Sequence, residues 1–506
     1  METEVPTTPE TAAGGSAGAG GGKAGREPPP GPIVALTRGP LAALAGLMER
    51  PLASYYLLLA SSGLLLVIGL VMVFSATSVQ AYASSGNAYA SVTRQGIYAL
   101  VGLVAFWFAH RLPMRTYRAL SGPLMIFALG MLIVQEGLVF LVDVHALGAP
   151  RLGPLRVDDL WLYLGPIQLQ PSEFGKLALA LWGAGVLARL GPAEKRLRDF
   201  SRSLLPGVGL MLLLVGYSDL GTMICMVVLC VGLLYAGGVR MRVFGWLVGG
   251  ALVAVMLLVL VQPYRVVRLT GFLHSPAACD VQRTEDPCYQ ALEGRYAIAD
   301  GGWFGVGLGQ GHLKWGRLPN GHNDFIFAII AEELGVIGCF VVLALLAVLA
   351  YTGLRIARRV TDPYRRIVAT GITAWLVGQA AINIGGVVGL LPITGLPLPF
   401  ISDGGSALVV VLGAVGVLAS FARAEPDAAR ALHARPPDRW VRLLWAPLPP
   451  LPRAERADGD APARPTGPRA VRSTPPRTPR TSGAAASAGL PRGGGRGARG
   501  RTERRG

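Results

Sequence analysis

Residues 54–75 read SYYLLLASSGLLLVIGLVMVFS, with no charged side chain among them. About 20 apolar residues, each rising about 1.5 Å in a helix, are enough to cross the hydrocarbon core of a bilayer. This run therefore predicts a membrane-spanning helix. It is too long for the apolar region of a secretory signal, and no shorter apolar stretch precedes it, so no signal peptide is expected. The whole chain has the same character. Of its 506 residues 52% are hydrophobic and only 15% charged, and its mean hydropathy is +0.46. A soluble protein carries about a quarter charged residues, so the composition excludes a soluble enzyme and a disordered chain. It predicts an all-α polytopic membrane protein.

Working outward from that first run, ten apolar segments are long enough to span: roughly 54–75, 96–110, 118–141, 172–189, 204–217, 219–238, 243–263, 325–353, 367–390 and 403–422. The fifth and sixth could also be one element broken around Tyr217-Ser218-Asp219. Cations mark the orientation, because loops rich in Lys and Arg stay on the cytoplasmic side. Arg111, Arg115 and Arg118 follow segment two; Arg189, Lys195, Arg196, Arg198 and Arg202 follow segment four. Arg240 and Arg242 follow segment six, and Arg355, Arg358, Arg359, Arg365 and Arg366 follow segment eight. All these loops share one parity. Ten transmembrane helices with both termini cytoplasmic satisfy it, whereas nine or eleven break it. Two long segments then fall outside, 142–171 and the large extracellular loop 264–324 between helices 7 and 8; long loops tend to carry function.

Three regions result. Residues 1–53, rich in Gly, Ala and Pro, predict a disordered cytoplasmic leader, and residues 54–423 form the membrane domain. Residues 424–506 hold 17 Arg, 7 acids and no Lys, and predict a disordered Arg/Pro-rich cytoplasmic tail. That tail supplies +10 of the net charge of +17. It is a solvated determinant of topology or a ligand for anionic lipid headgroups or a cytoplasmic partner. Aromatic residues accompany its arginines only at Trp440 and Trp445, so no nucleic acid is expected.

Ionisable residues at membrane depth cost about 2.5–3.5 kcal/mol each and mark functional sites. Glu173 and Lys176, in QPSEFGK, share a helical face and can pair; Ser172 can cap that helix. Asp324 opens segment eight in NGHNDFIFAIIAEELG, together with His322 and, deeper, Glu332 and Glu333. From position alone Asp324 could be a helix cap, but the carboxylate cluster suggests a cavity. The stretch GGWFGVGLGQGHLKWGRLP, residues 301–319, neither follows a strand nor opens a clear helix, so its glycines point to tight turns and close approach to a ligand rather than to a dinucleotide site. Arg265, Arg268, Lys314 and Arg317 could neutralise a pyrophosphate, and Trp303, Phe304 and Trp315 could rest at the interface. LPITGLPLPFISDGGSA, residues 391–407, cannot be one helix. It predicts a cap at Ser402-Asp403 and, with Gly404 and Gly405, an anion site at a helix N-terminus or a merely capped re-entrant turn. The six His show no metal-ligand spacing. Cys225, Cys230 and Cys339 fall in spans. Cys279 and Cys288 fall outside, the oxidising side, and a disulfide between them is expected.

Taken together, GLVMVFSA, GPIQLQPSEFGK, YSDLGT, PYRVVR, the stretch from YQ through AIADGGWFGVGLGQGHLKWGRLPNGHNDFIFAIIAEELG, and LLPITGLPLPFISDGGS resemble the SEDS family (shape, elongation, division and sporulation), most of all its division branch. They occur in family order across residues 54–423. The resemblance implies the ten-span topology read above from charge. It implies a peptidoglycan glycosyltransferase of the plasma membrane that polymerises lipid II, an undecaprenyl-pyrophosphate disaccharide-pentapeptide, at the division septum. It implies a class B penicillin-binding protein and other divisome proteins as partners, and it assigns the catalytic role to Asp324.

A carboxylate base suits a weakly nucleophilic sugar hydroxyl, and the leaving pyrophosphate needs cations or a divalent metal such as Mg or Mn. Substrate contacts are expected from Trp161, Glu173, Lys176, Arg265, Arg268, Lys314, His322, Ser402, Gly404 and Gly405. The chain departs from the family at Leu160, where Arg is common before Trp161, at Asp403, where Tyr is common, and at Ser218, where Pro is usual. A lipid II transporter (flippase) and a scaffold recruiting septal enzymes are the alternatives.

Overall fold

The computed structural model describes residues 46, 48–143, 151–152, 154–158, 160–165, 167–190, 202–261, 287–315, 318 and 321–451. The long helices are α1 (Ala53–Ser85), α2 (Ala90–Arg111), α3 (Met114–Asp143), α4 (Pro171–Arg189), α5 (Leu205–Ser218), α6 (Leu220–Gly237), α7 (Met241–Val261), α9 (Ile326–Arg359), α10 (Pro363–Val387) and α11 (Ser406–Arg423). Each falls on one of the ten apolar segments. Seven are long and apolar enough to cross a membrane: α1, α2, α3, α6, α9, α10 and α11. The helix α5 is apolar but only 14 residues long, α7 is apolar over Met241–Leu257, and α4 carries Glu173 and Lys176.

Local chemistry sets the helix ends. Asp219 separates α5 from α6 and accepts from the Thr222 amide at 2.9 Å, so the segments stay two helices. Asp362 caps α10 ahead of Pro363 in the same way. Ser172 does not cap α4, which opens on Gln170 and Pro171 without a side-chain cap. Nor does α11 begin at Ser402-Asp403: its N-cap is Gly405, with φ 48°. The pairs α2–α11, α6–α10 and α1–α9 pack along their lengths. Small residues permit this, since a Cβ on Gly416 would lie 2.5 Å from the Phe106 carbonyl oxygen.

The chain is not all-α. Residues 151–169 form a four-stranded antiparallel meander, β1 (Arg151–Leu152), β2 (Leu155–Asp158), β3 (Trp161–Leu164) and β4 (Ile167–Leu169), in the order 1-2-3-4. In the pairing of β2 with β3, Val157 faces Leu162 and Asp158 faces Trp161. Val157 and Leu162 bury against Leu138 of α3, which fixes the sheet at one end of the bundle, here the sheet end. The tail expectation also changes. Within residues 424–451, α12 (Pro426–Ala434) and α13 (Arg439–Leu444) form; residues 452–506 of the expected tail lie outside the described residues. Trp445 explains the order, because its indole donates to the Tyr55 hydroxyl at 2.6 Å.

Part of the long segment before α9 is helical: α8, Pro287–Gly301, packs on α9. The helix α9 is itself broken at Gly335 (φ 67°, ψ −167°), where one uninterrupted span was expected. Broken backbone at depth is tolerated only where protein satisfies its polar groups. Here the chain after α8 does so. The Val336 and Ile337 amides donate to the carbonyls of Gly302 and Trp303, and the Val306 and Gly307 amides donate to those of Glu332 and Glu333. A Cβ on Gly305 would stand 2.2 Å from the Glu333 carbonyl oxygen, and one on Gly335 would stand 2.4 Å from the Gly305 nitrogen. The glycines of GGWFGVG thus serve close approach to a helix, not to a ligand.

Candidate active site

His322, Asn323 and Asp324 lie in the turn that enters α9. Three successive carbonyls of this turn are each held by a different donor. The Asp403 amide donates to His322 at 3.1 Å. The Ser402 hydroxyl donates to Asn323 at 2.5 Å, and the Asn383 side-chain amide donates to Asp324 at 2.7 Å. Ser402 is held in turn by the Leu398 amide at 2.7 Å, while Gln95 of α2 donates to the Ser402 carbonyl at 3.1 Å. Asp324 is therefore fixed by backbone bonds from two other parts of the fold. It is not the cap of α9, whose N-cap is Phe325 without a side-chain bond. The residue is buried, with 8% of its surface exposed.

Two cavities meet the turn. Arg94, Tyr98, Trp161, Tyr163, Gln168, His322, Asn323, Asp403 and Gly405 line the larger, of about 260 Å³. The other, of about 10 Å³, is lined by Asp324 with Asn383, Gly386, Thr394 and Leu396. Sheet, α2, the α9 turn and the α11 entry thus converge on one polar, aromatic-walled space next to a buried carboxylate. Arg94 pairs with Asp403 at 3.3 Å across its wall. Burial lowers the His322 pKa; Arg94 lowers it further and Asp403 opposes both. Burial likewise raises the Tyr163 phenol, with Asp158 adding to the effect.

The expected site residues separate into groups. Trp161, His322 and Gly405 line the larger cavity. Ser402 instead holds the Asp324 turn, and the Gly404 amide donates within the loop to the Ser402 carbonyl. The anion site expected at 402–405 is corrected: the Asp403 carboxylate stands in that wall.

Glu173 and Lys176 are fully buried, 2.6 Å apart, so they form no interfacial pair and touch no open surface. Lys176 also donates to the Gln379 side-chain oxygen Oε1 at 2.7 Å, and the Gln379 side-chain amide donates to the Pro397 carbonyl at 2.8 Å. The pair therefore supports the 391–405 loop from inside. Lys314 is also corrected. It is buried, donates to the Gly309 carbonyl and lies 3.8 Å from Glu333. Glu332 accepts from the His312 amide at 2.6 Å and Glu333 from the Ser75 hydroxyl at 2.6 Å. That carboxylate cluster fastens the glycine-rich segment.

Arg265, Arg268, Arg317 and Cys279 lie outside the described residues, as does the Cys288 side chain, and with them the expected disulfide. Among the described residues no group of three or more His, Cys, Asp or Glu could hold a metal ion.

Residues 55–426 match the cell cycle protein family FTSW_RODA_SPOVE. The chain belongs to this family. A relative in Mycobacterium tuberculosis, named a probable peptidoglycan glycosyltransferase FtsW, is 39% identical over 405 residues, covering 79% of this chain and 74% of that one. Stage V sporulation protein E of Bacillus subtilis is 37% identical over 367 residues, 71% of this chain and 94% of that one. A chain solved in work on the structural coordination of polymerization and crosslinking by a peptidoglycan synthase complex shares the fold: TM-score 0.55, 24% identity, 72% of this chain and 96% of that one.

Sequence reasoning missed five residues of the larger cavity in this family member: Arg94, Tyr98, Tyr163, Gln168 and Asn323. Alternation in Leu155–Leu169 was the available signal for a sheet that would gather two of them. Arg94 offered none, being a lone cation just ahead of the second apolar segment.

Proposed function

We propose that the chain is a peptidoglycan glycosyltransferase that polymerises lipid II into glycan strands, with Asp324 as the base. The observation that carries the reading is a buried Asp324 on a turn whose three consecutive backbone carbonyls are each held, and whose His322 and Asn323 line a polar cavity walled by Trp161, Tyr163 and Tyr98. Aromatic faces and amide, imidazole and carboxylate groups together suit a saccharide. The acceptor hydroxyl attacks the anomeric carbon of the donor sugar. The bond to the pyrophosphate breaks, the hydroxyl proton passes to Asp324, and the single displacement inverts the anomeric centre. A positioned base contributes about 10²–10⁴-fold, and fixing the carboxylate in advance removes the cost of orienting it during reaction.

Arg94 is the arginine among the described lining residues, and Arg265 and Arg268 are further candidates for the pyrophosphate. Mg or Mn could assist the leaving group as an ion carried in by the substrate, and no step is assigned to it. The ten long helices all cross the plasma membrane, with both termini cytoplasmic and the sheet end outside. The enzyme works at the division septum with a class B penicillin-binding protein and other divisome proteins.

The test is glycan polymerisation from lipid II by purified protein with its cognate penicillin-binding protein, comparing wild type with Asp324→Asn. Polymer from wild type alone supports the reading. Polymer from both removes Asp324 from the chemistry. Polymer from neither, with the partner bound, favours the transporter or scaffold reading.

A further inference from the structure

The segment after α11 returns to the end of the bundle opposite the sheet and is pinned there. Trp107 and Arg111, in the last turns of α2, donate to the Leu444 and Leu443 carbonyls at 2.6 and 2.5 Å. Arg423, the last residue of α11, donates to the Ala446 carbonyl at 3.4 Å, and the Trp445 indole reaches Tyr55 at the start of α1. Three long helices begin or end at this level, so α13 is held where their apolar surface gives way to water.

Its own side chains are split. Trp440, Leu443 and Leu444 share one face by their i, i+3, i+4 spacing and are 71%, 61% and 62% exposed. Val104 and Phe108 of α2, also exposed and apolar, lie within one turn of Trp107, whose indole holds the Leu444 carbonyl. Arg439 and Arg442 lie on another face, with Arg435 just before it; Asp438 is the acid among residues 435–446. An amphipathic turn with Trp and Leu on one side and Arg on the other lies in a bilayer interface and favours anionic headgroups.

We propose that α13 is an interfacial anchor that binds anionic phospholipid headgroups through Arg435, Arg439 and Arg442 while Trp440, Leu443 and Leu444 enter the acyl boundary. Charge complementarity and attachment to the end of α2 beside its exposed apolar residues select a lipid occupant over a protein one. The inference is independent of the reaction proposed for Asp324.

The test uses the full chain in vesicles of phosphatidylcholine containing phosphatidylglycerol or further phosphatidylcholine spin-labelled near the headgroup. Subtracting a Trp440→Phe variant isolates the emission of that indole. Labelled phosphatidylglycerol is expected to quench it at a mole fraction at least about fivefold lower than labelled phosphatidylcholine. The triple change Arg435→Gln, Arg439→Gln and Arg442→Gln, which leaves the arginines of 453–506 in place, is expected to erase that difference while thermal stability is retained. No quenching by either label means that α13 is not in the interface. Equal quenching in the wild type overturns the headgroup preference. A preference that persists in the triple variant belongs to the distal arginines, and the assignment to α13 falls.

Discussion

Lys176 illustrates how one residue changes meaning between sequence and fold. At i,i+3 from Glu173 it is one of many surface-style pairs, worth little when exposed. Fully buried, it joins Glu173 to Gln379, and through Gln379 to the loop that holds Asp324. Lys176→Met leaves a buried carboxylate without its cation and should cost about 3–5 kcal/mol, read as a lower thermal midpoint in detergent. Adding Glu173→Gln should restore part of it, because the stranded charge is gone.

His322 gives a pH dependence with a definite sign. Its pKa is lowered in the fold from the usual 6.5, by burial first. Above 6.5 the imidazole is neutral whether the chain is folded or not, so its contribution is complete. As pH falls below that value the unfolded chain takes up the proton first, and stability is lost until the folded imidazole also titrates. Thermal midpoints measured from pH 7.5 to 5, at about half-unit steps, should fall less in His322→Gln. They should fall more steeply in Asp403→Asn, because Asp403 is the group that raises the His322 pKa.

Among the elements, the break in α9 does the most to arrange the sheet end. The stub Ile326–Leu334 is enclosed by protein, whereas Val336, Ile337 and Phe340 beyond the break are exposed as a lipid-facing helix would be. The break exists because α8 and the following glycines supply and accept the hydrogen bonds that a continuous helix would make internally. Gly335→Ala places a Cβ in a left-handed conformation and against the Gly305 backbone. A loss of about 1–3 kcal/mol is expected, with faster hydrogen exchange at the Val306, Gly307, Val336 and Ile337 amides. The sheet is a second element that the apolar pattern concealed. Its strands are two to four residues long, too short for alternation to stand out beside runs of twenty apolar residues.

For the whole molecule, the charge parity of the loops predicts where each connection lies. In intact cells carrying a cysteine-free background, single cysteines at Arg240 and Thr361 should resist a membrane-impermeant thiol reagent, and those at Asn87 and Asp158 should react. Labelling of Arg240 and Thr361 without permeabilisation would reverse the proposed orientation. The sequence by itself determined the membrane class and the positions of ten long helices, because bilayer insertion depends on the composition of contiguous runs and on the charges flanking them. Only the tertiary structure decided that Lys314, Glu332 and Glu333 fasten a loop, that Ser402 holds the Asp324 turn, and that Arg94 meets Asp403 from 309 residues away. Those roles depend on which buried backbone groups lack a partner within their own element, a condition set by packing across the bundle and invisible in any local window.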